Sequence, residues 1–189
     1  MSRNEPESDV TSQESLSKQF LSKPEVATMK EDTVAWEKFI YVLEWVLALQ
    51  VRYATNLRQG LVRIDFHDQK ALGDTYGAKV ALQMLVDLAQ QLRQTLRRTD
   101  LVARDGTSIW VLIPYVTPES VLSKVAQMVE VAAANGLDIV DRDISIYSIP
   151  DAGILEGLSF SDGQEFLKII GDQKNVAMRW EGALKQPGT

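Results

Sequence analysis

The stretch Arg97-Arg-Thr-Asp-Leu-Val-Ala-Arg-Asp-Gly-Thr-Ser-Ile-Trp-Val-Leu-Ile-Pro-Tyr115 decides how the rest of the chain is read. It predicts the end of a helix, a short strand over 101–104, a tight turn at Asp105-Gly106 and an apolar strand over 108–114. Asp-Gly between two extended apolar runs is a strong local hairpin signal, because glycine adopts the positive φ that a tight turn demands. Turns held by a rigid sheet are where chemistry is commonly placed. After Asp105 this tip reads Gly106, Thr107, Ser108, Ile109 and Trp110, with no further acid or base. The segment has the shape of a site with little chemistry in it.

Working outward, residues 1–32 are rich in Ser, Glu, Lys and Gln, and predict a disordered or weakly ordered tail. Thr33 is a plausible N-cap for a helix over 33–57. A stripe at Phe39, Leu43, Val46 or Leu47, and Gln50 or Val51 would cover the domain's own sheet. Tyr41, Trp45 and Leu49 fall on another face, either buried within the chain or used to contact a partner or a second copy.

A strand is expected over 61–66, a short helical turn near 70–74, and a longer helix over 78–96. The stripe of that longer helix is Val80, Leu82, Met84, Leu85, Leu88, Leu92 and Leu96. Beyond the hairpin, Thr117-Pro118-Glu119 is a helix start and Asn135-Gly136 a helix stop. A strand within 139–149, a short helix over 164–170 and a possible strand near 176–180 complete the domain, taken as 33–182, with a flexible tail over 183–189. The order β-α-α-β-β-α-β predicts an α+β fold, a palm-like mixed sheet flanked by helices.

Composition narrows the function. The 189 residues suit one domain plus a tail. A net charge of −6 argues against DNA or RNA as partner, which would select a basic face. With no cysteine and one histidine, disulfides, thiolate metal sites and multi-histidine zinc sites are excluded, and a reducing cytoplasm fits. The apolar run of the first helix is too short to insert in a membrane, and the N-terminus has no apolar signal region.

The hairpin resembles the signature turn of GGDEF domains, the diguanylate cyclases of bacterial cyclic di-GMP signalling, in which Arg-Tyr-Gly-Gly-Asp/Glu-Glu-Phe precedes an apolar strand ending in Pro. A second block agrees: Leu61-Val-Arg-Ile-Asp65-Phe-His-Asp-Gln-Lys70-Ala-Leu-Gly-Asp74-Thr-Tyr-Gly77 is similar to the family's Leu-Leu-x-Asp-Ile-Asp-x-Phe-Lys-x-Ile-Asn-Asp-x-x-Gly, with Asp65, Lys70, Asp74 and Gly77 in register. The resemblance spans roughly 36–149.

It implies a degenerate member. The family holds two divalent cations between an Asp at the end of its first strand and the acids of the turn, and Ser108 and Ile109 stand at the acidic positions. Thr107 replaces the second glycine and Trp110 the phenylalanine. Gly73 and Leu82 take the places of the polar residues that read guanine, and Lys174-Asn175 is only a faint echo of the phosphate grip. No Leu-Thr-x-Leu-x-Asn-Arg block precedes the first helix. The expectation is therefore no catalytic residue, no cofactor and no metal, with Asp65 as a residual metal candidate or a carboxylate bonding backbone amides of the next turn. His67 and Asp68 read as a solvated pair.

One motif is intact. Arg97-Arg98-Thr99-Asp100 matches the RxxD of the family's inhibitory product site, so the resemblance implies a cyclic di-GMP receptor using Arg97 and Asp100, with Arg93 and Arg98 near the phosphates. An arginine can chelate the guanine O6/N7 edge, and a carboxylate can accept from its N1 and N2 donors. A second arginine from another element usually completes that site and is not identifiable here. The alternatives are a surface Arg–Asp pair and, for the whole chain, a ligand-free interaction or dimerisation module.

Overall fold

The computed structural model describes residues 23–53, 58–66, 74, 76–114, 116–139, 143–149, 159–172 and 178–179. Its elements are α1 (Lys23–Tyr53), β1 (Gln59–Asp65), α2 (Ala78–Thr95), β2 (Leu101–Asp105), β3 (Ser108–Pro114), α3 (Pro118–Ala134), β4 (Ile144–Ile149), α4 (Gly163–Asp172) and β5 (Met178–Arg179). The α+β architecture is the expected one. Both tails' outermost residues, 1–22 and 180–189, lie outside the described residues, as do His67, Asp68, Lys70, Gly73, Lys174 and Asn175.

The strands form one sheet in the order β2-β3-β1-β4-β5. All four pairings are antiparallel, where a mixed sheet was expected. The crossovers explain the difference. Helix α2 joins the parallel strands β1 and β2, and α3 joins β3 and β4, but β3 sits between the first pair and β1 between the second. No parallel strands become neighbours.

Alternation along β1 divides the core in two. Val62, Ile64 and Phe66 face α2 and α3 with Leu85, Leu88, Leu92, Val125 and Met128. Leu61 faces α1 and α4 with Phe39, Leu43, Trp110, Tyr147 and Phe166. Two-residue periodicity of the strand thus serves two layers of helix. Gly60 has to be glycine for packing reasons, since a Cβ there would lie 2.9 Å from Val121 Cγ2.

Several boundaries move. Helix α1 begins at Lys23, so Thr33 is an interior residue rather than an N-cap, and residues 23–32 belong to the helix instead of a disordered tail. The physical reason is at Asp32, buried against two arginines from the domain, which carries the helix upstream of Thr33. On α1 the stripe Phe39, Leu43, Val46, Leu47 and Gln50 is buried, whereas Val51 is 77% exposed. Tyr41 and Trp45 are open, which sets aside a helix buried on two sides; Leu49 is half-buried.

On α2, Val80 and Leu82 are exposed, and the small residues Ala81 and Ala89 with Val86 complete the buried face. The apolar pattern counted large side chains, while close approach of helix to sheet selects small ones. In the hairpin, Asp105 pairs with Ser108, so the two-residue loop is Gly106-Thr107, one position later than expected, with Gly106 at φ +57. Thr117 caps α3 as anticipated, its Oγ1 accepting from the Ser120 N–H while Ser120 Oγ accepts from the Thr117 N–H.

Helix α4 is fixed at both ends. The Glu44 carboxylate of α1 accepts from the Gly163 N–H at 2.8 Å, and the buried Tyr147 hydroxyl donates to the Ile170 carbonyl at 3.1 Å. Burial pushes the Tyr147 phenol above its ordinary pKa.

Candidate functional site

Three clusters collect the residues singled out by sequence. The first lies at the hairpin end of the sheet. Strand register sets Asp65 directly opposite Ser108, and Arg63 projects on the same face two residues earlier. Arg63 Nη2 lies 2.8 Å from Asp65 Oδ2. Its Nε and Nη2 also donate to Ser108 Oγ at 3.3 and 3.2 Å, and Ser108 Oγ donates to Asp65 Oδ1 at 3.1 Å. Nη1 reaches across to the Gly171 carbonyl at 3.0 Å, and the guanidinium sits 5.5 Å from the centre of the Trp110 ring.

Asp65 is thus bonded to the side chains of Arg63 and Ser108, and residues 67–73, whose backbone amides one reading made its partners, lie outside the described residues. Among the described residues this strand end offers a cation one carboxylate and one hydroxyl, both already engaged by a guanidinium. Divalent cations are held by several converging oxygens, and this donor set does not fit two of them. Among the described residues no three His, Cys, Asp or Glu side chains gather as an ion site. Ile109 is fully buried on the opposite face, among α2 and α3. Thr107 is half-exposed, and its carbonyl accepts from the Phe66 N–H.

Beside this cluster runs an open groove of about 800 Å³ between the sheet and α4. Asp105, Asp162, Glu165 and Asp172 line it against the cations Arg63 and Lys168. Glu165 accepts from the Ser161 N–H and hydroxyl, which hold its carboxyl below the ordinary glutamate range. Asp162 accepts from the Glu165 N–H and starts the helix.

The second cluster is the corner between α2 and β2. Asp100 is buried, its side chain 2% exposed. Its Oδ2 accepts from the Arg97 backbone N–H at 3.1 Å and forms an ion pair with Lys124 of α3. The guanidinium of Arg97 is not its partner, so the surface Arg–Asp pair is replaced by a buried Lys–Asp pair. Arg97 and Arg98 are exposed. Lys124 is the basic residue from another element that sequence reasoning missed. It sits on a helix read only from its start and stop signals, and nothing in the spacing of 24 residues announces the pair.

The third cluster contains Arg93, assigned by sequence to the phosphates. Its Nη2 donates to Asp32 Oδ1 at 2.9 Å and its Nε to the Val102 carbonyl at 3.2 Å. Arg104 grips the other oxygen of Asp32 with Nε and Nη2, each at 2.9 Å, and also donates to the Gly106 carbonyl. Arg93 is therefore committed to fastening α1 to β2 and does not join Arg97 and Arg98.

On the outer surface of α1, Tyr41 and Trp45 are 72% and 58% exposed. Trp45 and Leu49 border a small crease whose far wall is Thr99 and Leu101. The structure thereby brings the aromatic face of α1 next to the RxxD element. No helix among the described residues is long and apolar enough to cross a membrane.

Residues 42–154 match the family model described as diguanylate cyclase, GGDEF domain. Among solved structures the chain is similar to the GGDEF domain of YfiN (TpbB) from Pseudomonas aeruginosa, with 19% identity, 77% of this chain and 91% of that one covered, and a TM-score of 0.48. It is similar to the GGDEF domain of DgcB from Caulobacter crescentus in complex with c-di-GMP, with 14% identity, coverages of 70% and 77%, and a TM-score of 0.52. A third similarity is to the diguanylate cyclase SiaD of P. aeruginosa in complex with its activator SiaC, with 15% identity, coverages of 72% and 54%, and a TM-score of 0.44. At these identities the DgcB likeness speaks to the fold alone. No curated protein matches the chain.

Proposed function

The chain belongs to the GGDEF family, the domain of cyclic di-GMP signalling, and from that premise we propose that it does not cyclise GTP and instead receives cyclic di-GMP at the Arg97–Asp100 corner. The observation that carries the loss of turnover is the guanidinium of Arg63, lodged between Asp65 and Ser108. Joining two triphosphates requires metal charge at that strand end. An internal cation fixed there cannot coordinate a phosphate and a ribose hydroxyl together. Four carboxylates against two cations in the adjoining groove add repulsion toward a triphosphate.

Binding without turnover is favoured at the corner, where Lys124 pairs with the buried Asp100 and the exposed Arg97 and Arg98 lie three and two residues before it in a protein of net charge −6. The surplus positive charge suits a phosphodiester. Arginine can chelate the guanine edge, and Lys124 already holds Asp100 in place. Asp100, its side chain 2% exposed, acts from beneath by bonding the Arg97 N–H and Lys124 through Oδ2, so the guanine meets Arg97 rather than the carboxylate. Calorimetry of the full chain with cyclic di-GMP tests this: saturable micromolar binding that Arg97→Ala abolishes is expected. Absence of binding, or product formed from GTP and Mg²⁺, overturns the reading.

A second reading is an interaction module working through α1, by homodimerisation or a protein partner, and one observation favours it. Tyr41 and Trp45 stand open one turn apart on a helix whose other side is firmly buried. Light scattering of the full chain and of Trp45→Glu tests it. A dimer that the substitution splits supports this reading, and a monomer in both removes the homodimer.

A further inference from the structure

We infer that the crease between α1 and the start of β2 is a base-stacking subsite, in which the Trp45 indole receives one purine ring of the ligand whose other base is read by Arg97 and whose phosphates lie against Arg98. The inference rests on the receptor reading above and adds a contact that the RxxD pattern does not contain.

The crease measures about 140 Å³ and is walled by Trp45, Leu49, Thr99, Leu101 and Pro114, with Gln50 at its base. Pockets that enclose a whole drug-sized ligand run to roughly 300–1,000 Å³, so this one admits a single ring system. Its lining is apolar apart from Thr99 and the glutamines. A flat heteroaromatic ring suits such a slot, because its faces need only apolar or π contact while its edge carries the polar groups. Trp45 is the right platform: large, π-rich and 58% exposed on a helix whose inner face is anchored by Phe39, Leu43 and Val46.

Position selects the ligand. Thr99 lines the crease and is the third residue of Arg97-Arg98-Thr99-Asp100, so the two exposed arginines come immediately before the crease wall. Cationic side chains beside an aromatic slot complement an anionic phosphodiester carrying a purine, and base stacking on an aromatic side chain is insensitive to which purine it is. A simple phosphate would use the arginines and ignore the slot. A purine dinucleotide uses both, one base read by Arg97 and the other stacked on Trp45. Because α1 also carries the open face at Tyr41, a ligand stacked on Trp45 would occupy surface that a second copy needs.

Calorimetry with cyclic di-GMP on the full chain and on Trp45→Ala, Trp45→Phe and Arg97→Ala tests the inference, with tryptophan fluorescence followed in parallel. Trp45 is exposed, so its replacement leaves the core untouched. The expected result is a Kd raised on the order of ten-fold or more by Trp45→Ala, in line with loss of one base stack, and largely recovered by Trp45→Phe. The parent chain should show ligand-dependent quenching that Trp45→Phe lacks. If Arg97→Ala abolishes binding while Trp45→Ala binds as the parent does, the stacking subsite is overturned and the receptor reading survives. If the parent chain binds no cyclic di-GMP, both fall.

Discussion

The Arg63 guanidinium donates to the carbonyl of Gly171 at 3.0 Å, joining the middle of β1 to the last turn of α4 across 108 residues of sequence. The same side chain neutralises Asp65 and holds Ser108, so it serves as the internal cation of the strand end. Arg63→Met should lower stability by about 2 kcal/mol, because Asp65 loses its counter-charge and a helix-end carbonyl its donor. Arg63→Lys should recover little, since an ammonium cannot span three partners as a planar fork does. Equilibrium denaturation in urea measures both. A Lys variant as stable as the parent would mean that charge alone matters here.

Asp32 of α1 makes a comparable clamp with Arg93 of α2 and Arg104 of β2. Asp32→Ala leaves Arg93 and Arg104 facing one another without their anion, a loss of about 3 kcal/mol. Adding Arg104→Met to Asp32→Ala should restore part of that, because the cost comes from uncompensated charge. Strictly additive losses in the double variant would show that the three side chains act independently.

Two glycines are required for different reasons, and substitution can separate them. Gly60→Ala forces a Cβ to 2.9 Å from Val121 Cγ2 and 3.2 Å from Val116 Cγ2, an overpacking worth about 1–3 kcal/mol. Trimming the neighbour with Val121→Ala should relieve it. Gly106 has nothing within 4 Å of a would-be Cβ, but its φ of +57 is unfavourable for alanine. Gly106→Asn should therefore be tolerated better than Gly106→Ala, since asparagine visits that region more readily. Thermal melts of the four variants test the division.

The N-terminal turn of α4 carries a pH dependence with a definite sign. Hydrogen bonds from the Ser161 N–H and hydroxyl depress the Glu165 pKa below its ordinary value of 4.5. A depressed folded pKa means that the stabilisation is present above the unfolded value and is lost as pH falls through the folded one. Glu165→Gln should thus narrow the stability difference between neutral pH and a pH below the depressed folded pKa, leaving the acid-side value almost unchanged. A parent and variant that differ equally at both pH values would remove Glu165 as the titrating group.

Local chemistry made much of this chain legible. Gly106 forces the hairpin, Thr117 and Ser120 cap α3, and the spacing of Phe39, Leu43, Val46 and Leu47 sets the buried side of α1. Turn, cap and periodicity are encoded within a few residues of one another, so a sequence displays them directly. The resemblance in the hairpin and in the Asp65 block likewise placed the chain in its family.

What only the tertiary structure decided is which polar groups meet. Arg63 with Gly171, Arg93 and Arg104 with Asp32, and Lys124 with Asp100 join residues from 24 to 108 positions apart. An ion pair leaves no periodic trace, because polar side chains on a helix or strand look alike until packing brings one opposite another. For that reason the start of α1, the commitment of Arg93 and the identity of the cation beside Asp100 emerged from the fold, although every residue involved was in plain view in the sequence.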